Sequence, residues 1–123
     1  RQRQMCIRDS DPISMSGMAA GGTQLAVFTT GRGTPTGHPI MPVIKISANA
    51  DCAKHMQDNL DFDASPLLRA EQSMEEACAK LYEQVMDIAN GKLTKSEILG
   101  YQETAIARVG RYQSKNGIQS YYY

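Results

Sequence analysis

A chain of 123 residues has the size of one domain and can bury roughly two thirds of its unfolded surface. Its 13 basic and 13 acidic residues cancel, which excludes the broad electrostatic footprint of a nucleic-acid or anionic-membrane binder; any bound anion must be held locally. The longest apolar run, Leu25-Ala26-Val27-Phe28, falls far short of the ~20 residues of a membrane span, and no charged start with an apolar core and cleavage site is present. A soluble, cytoplasmic protein is expected. Cys6, Cys52 and Cys78 form neither a CxxC pair nor a Cys/His cluster, which argues against a disulfide framework and a zinc site.

In chain order, residues 1–10 show no helical or strand period and share no compositional character with the rest of the chain, so they are expected to be a non-native leader. From Ser14 to Gly22, small residues permit a short, closely packed helix that ends at a glycine pair. Gln24 to Thr29 is apolar on both faces, the pattern of an interior strand of a parallel sheet. Glycines and prolines punctuate Thr30 to Pro42 as a loop, and Val43-Ile44-Lys45-Ile46-Ser47 reads as a second strand.

A short helix is expected from Asp51 to Gln57, and a brief extended segment from Asn59 to Asp63. Ser73-Met74-Glu75-Glu76 is a capping-box signature; Met74, Ala77, Cys78, Leu81, Val85, Ile88 and Ala89 then share one helical face until Gly91 stops it. Thr94-Lys95-Ser96-Glu97 repeats that spacing ahead of Gly100, which gives one more short helix. Residues 108–123 show no apolar period and are expected to form a disordered tail. Apolar strands flanked by helices indicate an α/β fold, a partial Rossmann-like layer of parallel sheet. Two strands do not make a sheet that stands alone, so the layer is expected to be incomplete and the chain a fragment.

The chemistry concentrates after the first strand. An α/β sheet binds ligands beyond the carboxyl ends of its strands, where Thr29 to Thr34 sit. Gly31 and Gly33 can bring backbone N–H groups close to a ligand, Thr30 and Thr34 offer hydroxyls, and Arg32 can fork onto a carboxylate or phosphate. These residues describe either an oxyanion cradle or a glycine-rich turn with a surface arginine. Neither GxxxxGK[ST] nor GxGxxG is present, which disfavours nucleotide binding.

His38 fits a base, an acid, a metal ligand or a solvent-facing loop residue. Lys45, inside an apolar strand, must face a polar cleft or reach an edge. His55 suits a solvated helix face. Asp58, Asp61 and Asp63 suit a polar connector or a hard-cation cluster, although the calcium-loop pattern is absent. Glu75, Glu76, Glu83 and Asp87 suit the solvated face of the long helix.

Ser16-Gly17-Met18-Ala19-Ala20-Gly21-Gly22, Phe28 through Ile40, Pro42-Val43-Ile44-Lys45-Ile46 and Asp58-Asn59-Leu60-Asp61-Phe62-Asp63-Ala64 occur in this order. Together they resemble the C-terminal region of the altronate/galactarate dehydratase family, over about residues 11 to 102. The string FTTGRGTP…P…IK is the specific part, and ANGKLTKSEILGYQE resembles the family's closing helix. The resemblance makes residues 11–107 the C-terminal part of a dehydratase catalytic domain. It implies a hydro-lyase that removes water from a hexonate or hexarate, such as altronate or galactarate, to give a 2-keto-3-deoxy acid.

It also implies a divalent metal, Fe(II), with ligands that the residues do not identify, and a homodimeric full-length parent. By the same resemblance, Thr30, Gly31, Arg32, Gly33 and Thr34 would hold the substrate's carboxylate or polyol, and Lys45 and His38 would stabilise charge or transfer a proton. Family members carry a long upstream region that residues 1–10 do not match, and residues beyond Gln102 leave the family pattern. Two other readings remain: a sulfolactate sulfo-lyase-like subunit on the same scaffold, and a non-catalytic module that binds an anionic metabolite.

Overall fold

The computed structural model describes residues 11–105 and the backbone of 109–114 and 117–122; the expected leader therefore lies outside the described residues. Asp11–Ala20 forms α1, followed by β1 at Ala26–Thr29 and β2 at Val43–Ser47. Then come α2 at Ala50–His55, β3 at Phe62–Asp63, α3 at Ser65–Leu68, α4 at Met74–Ala89 and α5 at Lys95–Ile98. The strands form a parallel sheet in the order β1-β2-β3, with Ala26 opposite Val43, Thr29 opposite Ile46, and Ile46 opposite Phe62. The architecture is α/β, as the strand and helix patterns predict.

Side chains alternate across the sheet, and each face has its own cover. Ala26 and Val43 pack with Met15 of α1 and with Met41, flanked by Ala19 and Phe28. On the opposite face Ile44 and Ile46 meet Ile88 of α4, flanked by Leu25, Phe62, Leu81 and Val85. All five residues of β2 are buried. The centre of the sheet is thus β2, and β1, which its apolar sequence marks as interior, stands at an edge among the described strands with Val27 half exposed.

Helix ends follow their sequence signals closely. Ser73 Oγ accepts from Glu76 N at 3.2 Å while Glu76 Oε2 accepts from Ser73 N at 3.3 Å, closing the expected capping box. Thr94 and Glu97 form the same reciprocal pair at the start of α5. Gly91 and Gly100 adopt φ values of 104° and 72° after the last turns, where a side chain would be strained. The buried stripe of α4 is narrower than its sequence suggests: Ala77 and Ile88 are buried, whereas Met74, Cys78 and Ala89 are exposed. One helix against a three-stranded sheet covers only the side chains aimed at its midline.

Two expectations change. Only Phe62–Asp63 of the extended segment joins the sheet, and the unanticipated α3 comes directly after it. The segment expected to be a disordered tail contains β4 (Val109–Ser114) and β5 (Gly117–Tyr122), an antiparallel pair that runs from Val109 opposite Tyr122 to Ser114 opposite Gly117. Its polar residues mask real strand signals: Tyr112, Ile118, Tyr121 and Tyr122 favour extended backbone, and Asn116-Gly117 is a strong hairpin dipeptide.

Removal of either cap tests this account of the helix ends. Ser73→Ala and Thr94→Ala should each lower the unfolding free energy by about 1 kcal/mol in urea titrations. Thr94→Ala should cost more, because its hydroxyl is also within 3.2 Å of Ser96 Oγ in a buried setting. Unchanged midpoints would show that the caps contribute nothing.

Candidate functional site

The loop between β1 and β2 begins at the carboxyl end of β1 and is fastened at several points. Thr30 Oγ1 accepts from Gly33 N at 3.0 Å, which closes the first turn on itself. Gly33 has φ 84°, and a Cβ there would collide with Met56 Sδ and lie 2.9 Å from Cys52 Sγ. Gly33 is therefore fixed by its backbone angle and by its packing on α2. Gly31 has open space around it, so packing does not demand a glycine there. Its carbonyl accepts from Asn49 Nδ2 at 3.0 Å, while Asn49 Oδ1 accepts from the amides of Asp51 and Cys52 to cap α2. One asparagine thus joins the loop to the helix after β2.

Further along, the loop lies across the sheet face that carries Lys45. Thr34 and Thr36 are buried and share a hydroxyl–hydroxyl bond of 2.7 Å. Gly37 packs so closely on Ser96 and the Tyr101 carbonyl that a Cβ would not fit, and its own carbonyl accepts from Glu103 N at 3.2 Å. His38 is buried, and its Nδ1 has no hydrogen-bond partner.

Lys45 is fully buried, with Nζ 3.6 Å from Asp61 Oδ2 and 3.5 Å from the Thr36 carbonyl. Of the two placements that the sequence leaves open, the edge is excluded: the ammonium stays inside and faces a polar partner, the buried Asp61 carboxylate. Asp61 does more than neutralise it. Its Oδ2 accepts from Lys45 N at 2.8 Å, its Oδ1 accepts from Lys95 N at 2.8 Å, and its carbonyl accepts from Gln84 Nε2 at 2.8 Å. Burial pushes the Lys45 ammonium below its ordinary value, against the attraction and hydrogen bond of Asp61, with Lys95 also disfavouring the charge.

The remaining polar positions separate. Asp63 Oδ1 accepts from Ser65 N at 2.8 Å and Asp58 is exposed, so the three aspartates do not act as one cluster. His55 is exposed and bonds its own helix at the Asp51 carbonyl. Among the described residues no three His, Cys, Asp or Glu side chains are arranged to hold a metal ion.

At the carboxyl ends of the three strands lies a groove of about 700 Å³, lined in part by Thr29, Thr30, Gly31, Asn49, Ser65 and Arg69. This is the position where open α/β sheets receive ligands. A second, more polar groove of about 630 Å³ adjoins it through Ala50, Ser65 and Arg69 and is lined by Lys54, Asp63 and Lys95 among others. Of the five loop residues singled out in the sequence, Thr30 and Gly31 line the first groove. Arg32 is exposed beside them in the chain, while Gly33 and Thr34 are committed to holding the loop.

Neither His38 nor Lys45 lines either groove. The sequence pattern did not reveal Asn49 as a tether, Ser65 and Arg69 as lining, or Asp61 as a buried anchor. Asn49 had a signal in its suitability to cap the helix after it, and Pro66 marks the first turn of the helix that brings Ser65 and Arg69.

Asp61→Asn should lower stability by about 3–5 kcal/mol by leaving a buried ammonium without its counter-charge, a loss measurable by chemical denaturation. The Lys45 proton gives a second, signed expectation. Between its lowered folded value and 10.5, the unfolded chain holds a proton that the folded chain has released, so this group's contribution to stability rises with pH. The wild-type protein should gain stability relative to Lys45→Met across that window; a constant difference would contradict the assignment.

The comparisons agree on one family. The model for the C-terminal region of D-galactarate/altronate dehydratases matches residues 3–112. The chain is 40% identical to the beta subunit of (2R)-sulfolactate sulfo-lyase from Chromohalobacter salexigens over 91 residues, 74% of this chain and 23% of that protein. It is 33% identical to altronate dehydratase from Escherichia coli over 101 residues, 82% of this chain and 20% of that enzyme. Galactarate dehydratase (L-threo-forming) from Escherichia coli is 37% identical over 83 residues, 68% of this chain and 16% of that enzyme. The chain thus spans less than a quarter of the length of these relatives.

Proposed function

Because the chain belongs to the D-galactarate/altronate dehydratase family, matching that family's C-terminal region, we propose that it forms one wall of the active site of a sugar-acid hydro-lyase. The substrate is a hexonate or hexarate, such as altronate or galactarate, and the product is a 2-keto-3-deoxy acid. The observation that carries this reading is the Thr30-Gly31 turn at the mouth of the strand-end groove, followed by an exposed Arg32 that has no carboxylate partner among the described residues. A guanidinium in that state is available to a substrate carboxylate through two charge-assisted bonds.

Dehydration of such an acid requires removal of the hydrogen beside the carboxylate, stabilisation of the enediolate that results, and departure of hydroxide from the neighbouring carbon. In our reading Arg32 holds the carboxylate while Thr30, the Gly31 backbone, Ser65 and Arg69 orient the polyol. Gly33 and Thr34 shape the loop. Lys45 and His38 act from beneath it, Lys45 as a positioning residue through Asp61 and Thr36. The proton-abstracting group is left to the longer protein.

The Fe(II)-type metal implied by the family does not fit the described residues by themselves. Cytoplasmic placement is supported by the free thiols Cys52 and Cys78 and by the lack of any described helix long and apolar enough to cross a membrane. A homodimer of the longer protein completes the proposal.

The 40%-identical sulfo-lyase subunit favours one second reading, elimination of sulfite instead of water from a related carboxylate. The full-length protein, assayed with altronate, galactarate and sulfolactate in the presence of a divalent metal, separates the two. Keto-acid formation from the sugar acids is expected, and Arg32→Ala should raise KM about 10- to 100-fold. Sulfite release from sulfolactate alone would select the second reading. Ligand binding without any turnover would indicate a non-catalytic module.

A further inference from the structure

The edge of the sheet formed by β1 does not have the sequence of an edge. Edge strands of folded proteins are usually guarded by charges, prolines, bulges or a covering element, because their free N–H and C=O groups template pairing with another strand. β1 and the residue before it read Leu25-Ala26-Val27-Phe28-Thr29, with no charge and no proline. On its inner side the strand is fully engaged: Ala26 N donates to the Pro42 carbonyl and Thr30 N to the Ile46 carbonyl, both at 2.9 Å. In a parallel ladder alternate residues bond to the same neighbour, so Ala26, Phe28 and Thr30 face β2, and the backbone groups of Val27 and Thr29 point away from it.

Side-chain burial shows the same asymmetry. All five residues of β2 are buried, whereas Val27, in register with the fully buried Ile44, is 48% exposed. Helix α4 covers the face to which Val27 belongs by packing Leu81, Val85 and Ile88 on Ile44 and Ile46, so its cover is centred on β2. Among the described residues β1 therefore combines an unpaired edge with an uncovered apolar side chain. The related proteins supply the length from which a partner would come, since the aligned region is only 16% to 23% of theirs.

We propose that the outer edge of β1 is the docking site for a further β-strand from the region of the longer family protein that this chain does not contain. That strand pairs with the outward backbone groups of Val27 and Thr29 and covers the Val27 side chain. Interior character in Leu25 to Phe28 then reflects the strand's position in the completed sheet. The inference rests on family membership and backbone geometry, and it is independent of which elimination the enzyme performs.

Amide hydrogen exchange on the full-length protein tests it. The Val27 and Thr29 amides should exchange roughly a hundredfold or more slower than those of exposed loops, on the scale of Phe28. Exchange at loop rates, with Phe28 protected, would overturn the proposal. So would protection that appears only as concentration rises, which would identify a second copy as the occupant. In the same protein Val27→Lys should lower the melting temperature while Val27→Ile leaves it within a degree or so of wild type, because the side chain is covered. Equal tolerance of both would overturn the covering of Val27.

Discussion

Lys45 and Asp61 form the contact on which the rest of the structure depends. An ammonium buried at the centre of a sheet is costly unless its charge is met and its donors are used. Asp61 meets the charge, and its two oxygens also accept from the backbone of β2 and of α5. The same lysine reaches the Thr36 carbonyl in the loop above. Four parts of the chain, β2, the approach to β3, the start of α5 and the loop after β1, are therefore referred to one ion pair.

That arrangement places the loop without depending on the loop's own rigidity. Beyond Thr36, the loop is held by close packing of Gly37 on Ser96 and Tyr101. Before it, Gly33 packs on Met56 and Cys52, and Asn49 ties the Gly31 carbonyl to the start of α2. Between these fixed points Thr30 and Gly31 open onto the strand-end groove, with Arg32 exposed next to them. Glycine is thus a packing requirement at Gly33 and Gly37, whereas Gly31 has open space around it and its carbonyl is held by Asn49.

The local elements were legible because their signals are local. Both capping boxes, the glycine stops and β2 arise from short spacings that tertiary context did not alter. The position of β1 was not legible, since an apolar run states how a strand wishes to be buried and says nothing of which neighbours are present. Lys45 was recognised as anomalous, yet its partner lies sixteen residues away in a stretch that reads as a polar connector. The three aspartates there look equivalent in sequence, and only folding distinguishes the buried Asp61 from the exposed Asp58 and the turn-forming Asp63. The groove lining was half visible: Thr30 and Gly31 belong to the family string, whereas Ser65 and Arg69 arrive from α3 and its end, a single turn whose one signal is Pro66 in its first turn.

A double-mutant cycle between Lys45→Met and Asp61→Leu, read by denaturant unfolding, tests the central claim most directly. If the pair organises the sheet and the loop, the two changes together should cost clearly less than the sum of the single effects, with a coupling of about 1–3 kcal/mol. Single effects that add within about 0.5 kcal/mol would contradict it.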